Sequence, residues 1–122
     1  MFDKKHILVV DDEDGLRITL QKELTAEGYT VDTASDGDEA IASIPTKAFD
    51  LVLLDIKMTR VHGMEVLKFI KKDYPAVKVI MLTAYADLKN AMESRRLGAD
   101  DFVTKPYDLY DLVATIKKVL KA

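Results

Sequence analysis

The chain reads as an α/β protein built on a doubly wound, five-stranded parallel sheet. Three observations predict this. Short apolar runs alternate with helical segments five times along 122 residues. Three of the runs are apolar almost without interruption, as strands covered by helices on both faces must be. The other two are wetter, as edge strands are. The length and the 48% apolar content suit one domain with one sheet-and-helix core, taken as residues 1–122.

The elements follow in order. Ile7 to Val10 forms the first strand. The first helix follows the acidic turn Asp11 to Asp14, carries Leu16, Leu20 and Leu24 at four-residue spacing, and stops at Gly28. Thr30 to Ala34 alternates and is an edge strand. Asp36 with Glu39 resembles a capping box for a short second helix with Ala40, Ile41 and Ile44, ended by Pro45. Leu51 to Leu54 is a central strand, and Gly63 opens a third helix whose buried face is Met64, Val66, Leu67 and Ile70 before Tyr74 and Pro75. Val77 to Leu82 is the next central strand. A fourth helix runs from about Ala86 to Leu97 with a thin stripe of Leu88, Ala91 and Met92, closed by Gly98. Asp101 to Thr104 is the second edge strand. Behind Asp108, a good N-cap, the last helix carries Leu109, Leu112, Val113, Ile116, Val119 and Leu120.

Placing the wetter strands at the edges, with right-handed crossovers, gives the order 2-1-3-4-5, the flavodoxin-like (βα)5 arrangement. Ligands of such sheets bind outside the carboxyl ends of the strands, at the point where the order reverses. Five polar positions each follow an apolar run: Asp11 with Asp12, Asp55, Thr83 and Lys105. They are expected to converge on that edge.

Two unit charges about 4 Å apart repel by roughly 4 kcal/mol at an effective dielectric near 20. Three carboxylates in one pocket therefore require a proton or a cation, and hard oxygen donors suit Mg²⁺ or Mn²⁺. With the repulsion offset, a carboxylate can attack phosphorus, and Asp55 is the natural nucleophile. Lys105 supplies a fixed cation, Thr83 can donate to a phosphoryl oxygen, and Ala84 leaves the approach open.

Composition excludes other classes. A formal net charge of −3 offers no basic stripe for direct binding of nucleic acid or an anionic membrane. There is no cysteine for a disulfide or thiolate site, no apolar stretch long enough to span a bilayer, and no signal-peptide core near Met1. A cytoplasmic location is the expectation.

Val9-Val-Asp-Asp12, Leu53-Leu-Asp-Ile-Lys-Met58, Met81-Leu-Thr-Ala84, Gly98-Ala-Asp-Asp-Phe102 and Lys105-Pro106 together resemble the receiver domains of two-component response regulators, over essentially the whole chain. The resemblance implies that Asp55 accepts a phosphoryl group from a sensor histidine kinase or a histidine phosphotransfer protein. It also implies direct metal binding by Asp12, Asp55 and the Lys57 backbone carbonyl, with Asp11 acting through water. It further implies a coupled switch of Thr83 and Phe102, and a cis bond before Pro106. Output would pass through the helix 4, strand 5 and helix 5 surface to an effector or output domain. Among regulators the chain most resembles the single-domain kind used in phosphorelays. The resemblance and position together place the phosphodonor on a rim of Gly15, Leu16, Thr19, Pro106 and Tyr107.

The chain departs from the family in one loop, Thr59-Arg-Val-His62, where Pro, Gly, Met and Asp are usual. There Lys57, Arg60 and His62 put basic groups near the acidic pocket, where they are expected to tune metal affinity or phosphoryl lifetime.

Taken singly, the residues have plainer readings. Asp11 and Asp12 could be a helix N-cap pair, Thr83 a cap for helix 4, and Lys105 a solvated lysine. Met58, Met64, Met81 and Met92 read as core filler, His62 as a solvated loop residue, and His6 as too isolated for a metal site. The competing enzyme reading is an aspartate-nucleophile phosphatase of the haloacid dehalogenase type. Asp55-Ile-Lys-Met-Thr59 matches its first Asp and its Thr, but Lys57 stands in place of its acid–base Asp. The third reading is a pseudo-receiver that binds a partner without phosphorylation, against which the complete pocket argues.

Overall fold

A computed structural model describes residues 4–58, 62–84 and 88–121. Five strands alternate with five helices: β1 (His6–Val10), α1 (Asp14–Ala26), β2 (Thr30–Ala34), α2 (Gly37–Ser43), β3 (Leu51–Asp55), α3 (Gly63–Asp73), β4 (Lys78–Ala84), α4 (Leu88–Arg96), β5 (Asp101–Lys105) and α5 (Leu109–Lys121). All ladders are parallel and the order is β2-β1-β3-β4-β5, as the sequence predicts.

Side chains on a strand point alternately to opposite faces. Leu8, Val10, Val52 and Leu54 therefore join one core with Ala40, Ile44, Val66, Leu67 and Ile70. Ile7, Val9, Leu51 and Leu53 join a second with Leu20, Leu24, Leu112, Val113, Ile116 and Val119. Both faces of β1 and β3 are thus covered, which is why their sequences are apolar throughout. The edge strands differ: β2 buries only Val31 and Ala34, and no residue of β5 is fully buried.

Local chemistry sets the helix ends. Asp36 accepts from the Glu39 N–H at 2.8 Å, but the Glu39 carboxylate takes the Ser35 hydroxyl, so only half of the expected capping box forms. α2 ends at Ser43, just before Pro45 as expected, and Pro45 itself sits in a 3₁₀ turn, Ile44–Thr46, which needs few backbone donors near its start. The plain reading of Asp11 and Asp12 as caps fails, because Glu13 is the N-cap residue of α1 and makes no side-chain cap bond. His62 is not simply solvated. It is half-buried and its Nδ1 accepts from the Met64 N–H at 3.2 Å, capping α3.

Met92 is a further correction: it is 71% exposed rather than core filler. Buried Ser94 and half-buried Leu97 define the inward face of α4, and Met92 lies two residues, about 200°, from Ser94. Met64 is only half-buried against the first core. Thr59, Arg60, Val61, Ala86 and the side chains of Ala84, Leu88 and Ala91 lie outside the described residues.

Candidate functional site

The two rims of the sheet hold acids in different states. At the amino rim the carboxylates are consumed by structure. Asp50 accepts the His6 N–H at 2.8 Å, and Asp32 binds Lys47 at 2.7 Å and His6 Nε2 at 3.0 Å. The Lys47 hydrogen bond, outweighing some burial, holds the Asp32 carboxyl below its usual range. Asp100 accepts from the Val79 N–H at 2.8 Å and from Lys71 at 3.0 Å.

The carboxyl rim is different. Register aligns Val10 with Leu54, Asp55 with Leu82, and Ala84 with Lys105, so the chain leaves four neighbouring strands at one level. Asp55 and Lys105 are the last residues of β3 and β5, and Thr83 still lies within β4. Asp11, Asp12 and Asp55 each bring a carboxylate oxygen within 4.8 Å of the others. Lys105 Nζ lies 2.9 Å from Asp11 Oδ2 and 3.4 Å from Asp55 Oδ2. Asp11, Asp12, Asp55 and Lys105 are therefore brought together, with Asp12 exposed and Asp11 and Asp55 buried; Thr83 is buried in β4, one position beyond the partner of Asp55.

Backbone donors orient the acids. Asp11 Oδ1 accepts from the Glu13 N–H at 2.9 Å, and Asp55 Oδ1 accepts from the Lys57 N–H at 3.3 Å. Behind Asp55 the start of α3 packs directly on the end of β3, where the Gly63 N–H donates to the Ile56 carbonyl at 2.9 Å. A Cβ on Gly63 would lie 2.2 Å from the Asp55 carbonyl oxygen and 2.8 Å from Ile56 Cα, so only glycine permits this approach.

Burial, chiefly, pushes the Asp55 carboxyl up to about 6; Lys105 opposes the rise and the Asp11 charge adds to it. Burial works against the Lys105 ammonium, but its hydrogen bond to Asp11 and the charges of Asp55 and Asp11 prevail and raise its pKa. Lys105 pairs with Asp11 and Asp55, and the Asp12 carboxylate lies in the same cluster. Its donors are all hard oxygens, without histidine or thiolate, which fits Mg²⁺ or Mn²⁺.

Beside the cluster runs a groove of about 560 Å³ lined by Glu13, Leu16, Glu23, Lys105, Pro106, Tyr107 and Leu109. Leu16, Pro106 and Tyr107 were expected at a docking rim. Gly15 and Thr19 are exposed on α1 but do not line the groove. The sequence reading missed Glu13, Glu23 and Leu109, although Glu13, Leu16 and Glu23 recur at three and seven residues along one helix face. The Lys105–Pro106 bond is cis, as the resemblance implies. Half-buried Phe102 packs on the first core, with the Arg95 guanidinium 5.9 Å from its ring centre. Lys57 is exposed and Arg60 lies outside the described residues.

Known proteins match this arrangement. The profile of the response regulator receiver domain matches residues 7–117. A probable transcriptional regulator, ycf27, of Cyanidium caldarium is 40% identical over 95% of this chain and 46% of its own length. The chain thus spans about half the length of the first curated relatives it matches. A CheY-like receiver domain protein from Methanospirillum hungatei superposes with a TM-score of 0.93 at 38% identity, covering 98% of this chain and 95% of that one. The response regulator TrrA of Thermotoga maritima, solved in complex with Mg²⁺-BeF, is 41% identical with a TM-score of 0.85 over 94% of this chain and 98% of that one. Fold, carboxyl-rim chemistry and these matches agree, and the chain belongs to the response regulator receiver domain family of two-component systems.

Proposed function

We propose that residues 1–122 form one phosphoacceptor domain, in which Asp55 takes a phosphoryl group from a histidine kinase or a histidine phosphotransfer protein. The observation that carries this reading is the cluster of Asp11, Asp12 and Asp55 at the carboxyl rim, with the Lys105 ammonium paired to Asp11 and Asp55.

In the proposed step a carboxylate oxygen of Asp55 attacks phosphorus. The bond from phosphorus to the donor imidazole nitrogen breaks, and the imidazole leaves with its electron pair and takes a proton. Lys105, fixed by Asp11, stands beside Asp55 and neutralises charge on the transferring group. Buried Thr83 donates its hydroxyl to a phosphoryl oxygen. The Lys57 N–H holds one oxygen of Asp55, leaving the other to react. Asp11, Asp12 and Asp55, with the Lys57 carbonyl, would hold a magnesium or manganese ion that supplies positive charge against the phosphoryl oxygens. The Mg²⁺-BeF complex of the Thermotoga maritima relative supports that assignment.

Phosphorylation then shifts an equilibrium in which Thr83 and Phe102 move together and reshape the surface of α4, β5 and α5. The partial burial of every β5 residue suits a strand that repacks. Output is control of a partner or an output domain, as the names of the longer transcriptional regulators suggest. No helix among the described residues is long and apolar enough to cross a membrane, and we place the protein in the cytoplasm.

The phosphatase alternative would need an acid–base aspartate where Lys57 stands, and the family match favours the receiver reading. Incubation with acetyl phosphate, with and without Mg²⁺, tests the proposal through intact mass. A metal-dependent phosphoryl adduct, absent from Asp55→Asn, is expected, and continuous release of inorganic phosphate from an external phosphomonoester would favour the phosphatase instead.

A further inference from the structure

Each polar group of Asp11 is engaged. Its N–H donates to the Ala34 carbonyl at 3.2 Å, Oδ1 accepts from the Glu13 N–H at 2.9 Å, and Oδ2 accepts from Lys105 at 2.9 Å. The carbonyl accepts from Arg17 Nη1 at 2.8 Å. That carbonyl belongs to the planar peptide joining Asp11 to Asp12, so its direction fixes where Asp12 Cα stands and from where the Asp12 carboxylate approaches Asp55. Arg17 is placed for this reach. It is the fourth residue of α1, where side chains lean toward the helix N-terminus, and its guanidinium crosses back over the Glu13 cap to the loop. The second arm of the fork, Nη2, donates to Asp14 Oδ1 at 2.7 Å, and the Arg17 side chain is only 14% exposed. Glu13 makes no side-chain cap bond to hold the loop against the helix, and the Arg17 fork does so from within the helix.

Charge does not account for this placement. A guanidinium close to a helix N-terminus opposes the macrodipole, and beside a pocket suited to a divalent cation it repels the ion. What it supplies is direction. We infer that Arg17 is a positioning residue for the metal site, its fork setting the Asp11–Asp12 peptide so that the Asp12 carboxylate meets Asp55 at a spacing one ion can bridge. The inference rests on the proposed function for the ion itself and adds a residue outside the ligand set, whose loss is read as metal affinity. Groups that orient ligands without touching the metal typically carry about 10–100-fold in affinity.

Mg²⁺ titration of the full chain, followed by backbone amide NMR, reads the dissociation constant without any phosphoryl transfer, and the same spectra report whether each variant is folded. Arg17→Met keeps an apolar stem and removes the fork. It is expected to weaken Mg²⁺ binding about tenfold and to displace the Asp12 and Glu13 amides most before metal is added. Arg17→Lys keeps the charge but cannot place two donors in one plane, and it is expected to remain weaker than the wild type. Asp50→Ala removes the acceptor of the His6 N–H at the opposite rim, so it should lose stability in urea and keep wild-type Mg²⁺ affinity. Wild-type affinity in either Arg17 variant would overturn the inference and leave the proposed function standing. So would tighter binding by Arg17→Met, the result of losing a repelling cation alone, or an equal loss of affinity in Asp50→Ala, the mark of a loosened fold. A wild-type chain without a saturable Mg²⁺ response at Asp11, Asp12 and Asp55 would overturn the metal assignment, and the inference with it.

Discussion

Replacing Asp55 with asparagine removes the charge that the metal-free fold tolerates least. Burial and the neighbouring Asp11 raise the Asp55 carboxyl from 3.8 to about 6 despite Lys105. A folded-state pKa above the unfolded value means that the native protein binds the proton more tightly, so stability is fully present below about pH 4 and declines as pH rises through about 6. At about 1.36 kcal/mol for each tenfold change in proton affinity, the decline is about 3 kcal/mol. Partial solvent access at the rim reduces it to about 1–2 kcal/mol. Asparagine keeps the size and an acceptor oxygen without the charge. In urea unfolding with chelator, Asp55→Asn should therefore match the wild type near pH 4 and exceed it by about 1–2 kcal/mol at pH 7.5. Millimolar Mg²⁺ should close the gap by stabilising the wild type, since a ligand bound only by the native state adds RT ln(1 + [L]/Kd). Equal stability of the two proteins at pH 7.5, or the same excess at pH 4 as at pH 7.5, would refute the reasoning.

Three further outcomes are expected. Gly63→Ala should lose about 1–3 kcal/mol or more in chemical unfolding and push the start of α3 away from the end of β3, because the new Cβ would lie 2.2 Å from the Asp55 carbonyl oxygen; wild-type stability would show that this contact has slack. Lys105→Met should lower the metal-free unfolding free energy by about 3 kcal/mol at pH 8, by leaving Asp11 and Asp55 without their shared ammonium, with the loss shrinking on acidification and on Mg²⁺ addition; a pH-independent loss would point to packing instead. Asp36→Ala should cost about 1 kcal/mol at all pH values above the carboxylate range by uncapping α2, and an unchanged thermal midpoint would contradict that role.

What the sequence discloses about this protein depends on how much of each signal is local. The strands of the sheet centre were legible because burial on both faces leaves no polar alternation, and the order followed from the two wetter edges. The carboxyl-rim cluster was legible because each of Asp11, Asp55, Thr83 and Lys105 follows an apolar run at the same end of its strand. Failures came where a long-range packing choice decided the outcome. Met92 looks apolar enough for a core, but Ser94 and Leu97 set which face of α4 turns inward. His62 gave no sequence sign of capping, since its role depends on the ring reaching the Met64 N–H. Pro45 stops α2 as the rule requires, and what the sequence did not show is the 3₁₀ turn, Ile44–Thr46, that follows. Glu13, Glu23 and Leu109 were not legible as groove lining, because Pro106, Tyr107 and Leu109 come to lie beside the start of α1 only through the fold.

Mapping the modified residue tests the central claim most directly, because three carboxylates compete within one pocket. After reaction with acetyl phosphate and Mg²⁺, borohydride reduces an acyl phosphate to an alcohol, and peptide mass spectrometry reads which aspartate has become homoserine. Conversion at Asp55 alone is the expected result. Conversion at Asp11 or Asp12, or no conversion in a protein that remains folded, would contradict the assignment of Asp55 as the phosphoacceptor.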